Sequence, residues 1–419
     1  MKKHIKLLVA LGIILVGSFS FYLFKGYKKD ALVYENNKIK PSSSGIAMML
    51  ETSAGSGNYE MTTRSEWPTE GYVFNANLSK CENGSELSWD NENKKVLMSG
   101  NKSDKCYVYF DVYVKPQVLL ADYVKSLYTG TQGANNIYYH DASLTNGAGD
   151  NSYRFAGASD QVNNYVCFGS NVTPCPADNL YRIIGVFGDK VKLIKSDYAT
   201  RTLLGTYGDY GKMYTANNYD NSNYKGNNLA NVAAYYWHKT VRNTWSWTSL
   251  NKTNLNTNFI TNIGTEWAKK IATTTWKVGG NTSANIYKVV PATAYQNEIV
   301  NPVTTNTTDN ATDYTAKIGL MYASDYGFAA APSAWTANLN TYNGETIKSV
   351  NWMYMGLYEW TISRQADYES LAFNVDYTGY VDCHYVGSYA YAVRPVFSLT
   401  SSVNYVSGSG TAADPITIN

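Results

Sequence analysis

Residues 372–397 read AFNVDYTGYVDCHYVGSYAYAVRPVF. The flanks, AFNV and AYAVRPVF, have the small, β-branched and aromatic composition of buried strand, while the middle gathers Tyr, Asp, Ser, His and a single Cys. A fixed apolar frame thus brackets a segment dense in side chains that make contacts.

The 419 residues around it exceed one ordinary globular unit and suggest two or three, the largest able to bury a full core. Net charge is +2 and only 16% of residues are charged, so the chain lacks the basic field of a nucleic-acid binder and no nucleic-acid partner is expected. Tyr is abundant at 38 residues, alongside Asn, Ser, Thr and Gly. Tyr gives large amphipathic contact area at low entropic cost, and antibody paratopes combine it with the same small polar residues. Codon bias is the competing account, since Lys, Asn and Tyr outnumber Arg and Pro. Only local patterns discriminate between the two.

At the N-terminus MKKHIK precedes an uncharged run from Leu7 to Phe24, closed by KGYKKD. As a helix this run spans roughly 27 Å, enough for the hydrocarbon core of a bilayer. A cleaved signal peptide is the alternative, but no A-x-A-like site follows, and the bulky FYLF end suits a retained anchor better. Residues 1–30 are therefore expected to form a cytoplasmic stub and transmembrane helix, followed by a spacer over 31–44. Lysines flank the run on both sides, so charge alone does not orient it.

The cysteines do. Cys81 and Cys106 bracket a turn-rich segment in which ELSWD and KKVLM read as hairpin strands around DNEN, and Cys167 and Cys175 close a short loop. Neither pair has zinc-ligand spacing and no His lies nearby, so two local disulfides are expected. Disulfides imply an oxidising compartment, which puts the body outside the cell on a single-pass anchor. Cys383 is left unpaired.

Short alternating runs such as GYVFNANL and CYVYFDVYV predict a small, all-β, disulfide-stapled, sandwich-like module over 45–114. Residues 115–150, which end in the Gly/Asn-rich TNGAGDNS, read as a connector to a larger domain over 151–419. There LYRIIGVFGDKVKLIKSDYA reads as two strands turning at Gly188 and Asp189. Leu255, Phe259, Ile263, Trp267 and Ile271 recur at i+4, the apolar stripe of an amphipathic helix packed on a sheet.

The phrases NWMYMGLYEWTIS, AFNV, the Gly of DYTG and AYAVRPVFSL together resemble the C-terminal core of formylglycine-generating-enzyme-like domains with a C-type-lectin fold. The family's aromatic-Glu-Trp-Thr stretch corresponds to Tyr358, Glu359, Trp360 and Thr361, and its closing strand to Val393, Arg394 and Pro395. RIIGVF, IGLMYASDYG and YEWTIS are similar to phrases in secreted or anchored surface proteins of gut Firmicutes, and the stretch from GIAMMLE to KCYVYF resembles a module that accompanies such domains. The resemblance covers roughly residues 151–419. It implies an α+β, irregular lectin-like fold whose surface near the C-terminal strands binds ligand.

It does not carry catalysis across. Formylglycine generation needs a close pair of active-site cysteines, and Cys383 is the only one unpaired here. The histidines, His4, His140, His238 and His384, form no HExxH, and no GxSxG or P-loop is present. Neither an EPN-like nor a QPD-like run supports calcium-dependent sugar binding, and no cofactor or metal is implied.

Members of this fold also serve as targets of diversity-generating retroelements, which rewrite adenines in a C-terminal coding stretch. From an Asn codon such as AAC, adenine substitution yields Tyr, Asp, His, Ser, Cys, Gly and Thr, and never Lys, Glu, Gln, Met or Trp. Residues 376–389 contain none of the excluded types. On this reading Ala372, Phe373, Val375, Val381 and Val386 are frame, while Asp376, Tyr377, Tyr380, Asp382, Cys383, His384, Tyr385, Ser388 and Tyr389 present a variable surface. The competing account is a Tyr-rich pair of strands with the composition of the whole chain.

A membrane-anchored extracellular protein that recognises a protein or glycan on another cell, host surface or phage is the expected function. A formylglycine-generating-type oxidoreductase using Cys383 and a structural surface subunit are the alternatives. Trp360 and Arg394 are expected to hold the fold, with Glu359 as partner of the buried Arg.

Overall fold

A computed structural model describes residues 41, 45–101, 103–114, 116–215, 220–280, 286–302 and 311–419. The expected anchor and all of the spacer except Pro41 lie outside them, and no helix among the described residues is long and apolar enough to cross a membrane. The chain is mixed α+β, mostly sheet with few short helices, and divides into a smaller unit ending at Pro116 and a larger one over Gln117–Asn419.

The smaller unit contains β1 (Ile46–Glu51), β2 (Tyr59–Thr62), β3 (Tyr72–Phe74), β4 (Lys80–Cys81), β5 (Glu86–Asp90), β6 (Lys95–Ser99) and β7 (Cys106–Val112). Strand β7 lies parallel to β1 and antiparallel to β3 and β4, and β2 pairs with the far side of β1. Strands β5 and β6 form the expected hairpin, with Asp90 opposite Lys95. Its Trp89 sits edge-on to Phe110 at 5.5 Å and stacks over Phe74 at 6.3 Å, so the hairpin covers the apolar face of the sheet above Met48, Val108 and Phe110. Cys81 and Cys106 are opposite one another in the β4/β7 pairing and form the first disulfide.

In the larger unit β8 (Val118–Leu119), β9 (Ile137–His140), β10 (Ser152–Phe155), β11 (Tyr165–Cys167), β12 (Leu180–Phe187) and β13 (Lys190–Lys195) precede β14 (Tyr210–Met213) and β15 (Ala233–Tyr236). The rest are β16 (Thr274–Lys277), β17 (Asp313–Ala316), β18 (Ile318–Gly319), β19 (Glu359–Arg364), β20 (Leu371–Val375), β21 (Val381–Tyr385), β22 (Ala390–Ala392), β23 (Val396–Ser398), β24 (Asn404–Ser407) and β25 (Thr417–Ile418). One sheet has the order β18-β23-β13-β12-β10-β9, with β11 also on β12, and a second the order β14-β15-β22-β19-β20-β21. Strands β12 and β13 are the hairpin expected around Gly188 and Asp189. Their IIGV and VKLI runs are buried on both faces, which is why they read as continuous rather than alternating. One core joins the two sheets, combining Ile183, Leu193 and Phe397 of the first with Tyr235, Trp360 and Phe373 of the second.

Two expectations need correction. The connector expected over 115–150 folds, from Gln117 onward, into the larger unit: β8 pairs with β24, β9 pairs with β10, and Leu120, Val124 and Ile137 enter the core. Its elements are only two to seven residues long, and β8, at its start, has its partner far along the chain. The expected long helix is also interrupted, by π-helical turns over Leu250–Phe259 and by Gly264 at φ 84°, before a short helix at Thr265–Lys269. Its stripe still packs as core, with Leu255, Phe259, Ile263 and Ile271 buried and Trp267 edge-on to Phe168 at 5.0 Å.

Much of the larger unit is irregular, and buried amides satisfy its backbone. Asn243 Nδ2 donates to the carbonyls of Gln365, Tyr368 and Leu371 at 2.7–2.8 Å, and Asn254 Nδ2 donates to those of Leu204 and Tyr207. Part of the Asn abundance therefore has a structural use. The second disulfide, Cys167–Cys175, closes the loop after β11.

Candidate functional site

Residues 372–397 run through the β20–β21 hairpin, the turn into β22 and β22 itself, and reach the start of β23. Strand β21 lies at the edge of its sheet, paired to β20 with Ala372 opposite His384, Phe373 opposite Cys383, Asn374 opposite Asp382 and Val375 opposite Val381. Ala372, Phe373, Val375, Val381 and Val386 are all buried, the positions expected of a frame. The turn between the strands needs Gly379, which has φ 111° and donates its N–H to the Asp376 carbonyl at 2.9 Å.

Opposed residues of an antiparallel pair share a face, so the varied positions divide into two groups. Asp382 and His384 lie with Ala372 and Asn374 on one face, and Cys383 lies with Phe373 on the other, packed against the core. On the first face the rings form a continuous array. Tyr358 stacks on Tyr391 at 4.8 Å, Tyr391 on Tyr389 at 5.7 Å, Tyr377 packs on Tyr358 at 5.2 Å, and His384 sits 5.0 Å from Tyr389 and 5.6 Å from Tyr391. The Nδ1–H of His384 donates to Asn374 Oδ1 at 2.9 Å, and its Nε2 lies 3.9 Å from Asp382. Burial holds the imidazole below its usual range, against the pull of Asp382 and Asp376. The ring is therefore neutral at pH 7.

Exposure grades outward along the segment. Tyr385 and Tyr389 are 48% and 41% exposed and Ser388 is also exposed, while Tyr377, Tyr380, Asp382 and His384 are half-buried. Two expected surface residues are not presented. Asp376 is 2% exposed, because its Oδ1 accepts from the backbone N–H and hydroxyl of Thr378, each at 2.6 Å, and so builds the turn. Cys383 points to the core face, and burial pushes its thiol up to about 11. Tyr358 and Tyr391 complete the array but were not among the sequence candidates. The alternation AYA in β22 was the available signal, since it places Tyr391 between two small residues.

A second polar cluster supports the core beneath the helix Ala323–Phe328. Glu298 accepts from the N–H groups of Ala323 and Ser324 at 3.1 and 3.0 Å and from the Ser363 hydroxyl, and burial pushes its carboxyl up to about 7. Beside it Lys192 pairs with Asp325 at 2.5 Å. Among the described residues no group of three or more His, Cys, Asp and Glu side chains is arranged to hold a metal ion.

Comparison of the chain with family models, curated proteins and solved structures finds no match.

Proposed function

We propose that this protein is a membrane-anchored extracellular recognition protein whose larger unit has a C-type-lectin-like fold and whose β20–β21 edge hairpin, with Tyr389 beside it, contacts a protein or glycan on another cell, host surface or phage. The observation that carries the reading is the division within one short segment: five apolar residues are buried, while Tyr385, Ser388 and Tyr389 stand exposed next to a backed array of rings. Aromatic side chains held from behind contribute contact area without the entropic loss of ordering them on binding. The lectin-like fold rests on the resemblance carried by Tyr358–Thr361 and Val393–Pro395.

The same division supports diversification of the segment, since its exposed positions tolerate substitution without loss of core. An oxidoreductase using Cys383 is less well supported, because a half-buried thiol raised to about 11 is protonated at neutral pH, the opposite of a reactive thiolate.

Sequencing the gene across a population of its host tests diversification. Substitutions confined to codons 366–392 and to template adenines are expected, whereas a uniform low rate along the gene would rule it out. Binding is tested with the full chain on glycan arrays and on intact cells. Tyr385→Ser with Tyr389→Ser is expected to abolish whatever the parent chain captures, and unchanged capture would remove the hairpin from the contact surface.

A further inference from the structure

Lys195, the last residue of β13, is 1% exposed, and among the described residues its ammonium makes no hydrogen bond and no ion pair. Asp178 and Asp197 attract it only from beyond ion-pair distance. Asp197 is already occupied, accepting from the Tyr224 hydroxyl at 2.9 Å and from the N–H of Asn227 at 2.9 Å. A buried cation without a partner is costly and needs an explanation.

Lys195 lines a cleft of about 290 Å³. Arg201, exposed and likewise without an ion pair among the described residues, lines the same cleft, as do Asp178, Asn179 and Asn262. Asn262 spends both N–H groups within the fold, on the carbonyls of Thr202 and Leu203 at 3.0 and 2.9 Å, and Asn179 spends one of its two on the carbonyl of Phe168 at 3.1 Å. What the two amides and Asp178 leave for a ligand are three acceptors and one N–H of Asn179. A complementary ligand must bring negative charge for two cations and O–H or N–H donors for three acceptors.

We propose that this cleft binds an acidic sugar, with a carboxylate or sulfate on Lys195 and Arg201 and ring hydroxyls on Asp178, Asn179 and Asn262. Burial holds the Lys195 ammonium below its usual range, as for a cation waiting for a counter-charge. The site shares no residue with the β20–β21 hairpin, so either reading can fail while the other stands.

Calorimetric titration of the full chain with glucuronate, glucose 6-sulfate, glucose and inorganic sulfate tests it. Glucuronate or glucose 6-sulfate is expected to bind, and which of them binds more tightly distinguishes carboxylate from sulfate. Glucose, lacking charge, and inorganic sulfate, lacking ring hydroxyls, are expected to bind at least tenfold more weakly. Affinity should fall as salt is raised, because Arg201 is exposed. Lys195→Met is expected to weaken binding by roughly thirtyfold or more. Because it removes an uncompensated buried charge, this variant is expected to melt no lower than the parent chain. Arg201→Gln, on the surface, gives a smaller loss with an unchanged melting temperature. Failure of both acidic sugars to bind, equal binding by inorganic sulfate, or undiminished binding by a folded Lys195→Met chain would each overturn the proposal.

Discussion

Glu359 and Arg394 form a two-pronged buried pair, with Arg394 Nε and Nη2 donating to the two carboxylate oxygens at 2.8 Å each. Nη2 also donates to the Met353 carbonyl at 2.8 Å. The pair joins the start of β19 to the chain just after β22, beside the point where Glu359 is opposite Ala392 in the only parallel contact of that sheet. Removing one partner strands the other charge, so Glu359→Ala is expected to destabilise the larger unit by about 3–5 kcal/mol. The double change Glu359→Met with Arg394→Met should cost less than either single change. Denaturant unfolding followed by tryptophan fluorescence measures both, and a double variant worse than the singles would contradict this account.

The hairpin gives a second contrast. Tyr385→Ala and Tyr389→Ala touch exposed rings and should change stability by no more than about 0.5 kcal/mol. Phe373→Ala, in the core on β20, should cost about 3–5 kcal/mol. Equal losses at all three positions would mean that the outer rings also pack as core.

Cys383 should alkylate slowly in the native chain at neutral pH. The rate should rise about tenfold per pH unit and level off only near pH 11, where the thiol ionises. A fast reaction with iodoacetamide at pH 7 would show a thiolate that the packing against Phe373 does not allow.

Glu298 makes stability depend on pH. Its carboxyl ionises near 4.5 in the unfolded chain and at about 7 when folded, so its contribution is complete below pH 4.5 and is lost as pH rises through about 7. The neutral Glu298→Gln variant lacks this loss. Between pH 4.5 and 8 the stability difference should therefore move in the variant's favour, by an amount on the order of 3 kcal/mol. Melting curves of parent and variant across that range, running parallel, would contradict it.

In the smaller unit, Cys81→Ser with Cys106→Ser opens a loop with a sequence separation of 25 and should cost roughly 3.5 kcal/mol on the chain-entropy account. The larger unit should be unaffected. Its melting transition, recorded by calorimetry, serves as the internal control.

Features set by short-range chemistry were legible in the sequence. The hairpins at 86–99 and 180–195 follow from strand runs around turn residues, both disulfides from cysteine spacing, and the frame positions of β20 and β21 from apolar placement. Facing was harder to read. Cys383 and Asp376 belong to the right segment but point inward, because strand alternation and the turn at Gly379 fix their directions, and the composition of the segment carries neither. Tyr358 and Tyr391 stack across strands distant in sequence, and β8 finds its partner β24 almost three hundred residues later. Lys195 looked like one more lysine at the end of a strand. Only tertiary packing leaves its ammonium without a partner among the described residues.

Among the described residues, strand β21 has a hydrogen-bonded neighbour on one side only. A residue in a central strand must suit two flanking strands at once, whereas the backbone of each position from Asp382 to Tyr385 pairs with β20 alone. At Tyr385, the exposed end of that strand, a replacement has one backbone row to suit rather than two, so the range of permitted side chains is widest where the chain meets its surroundings.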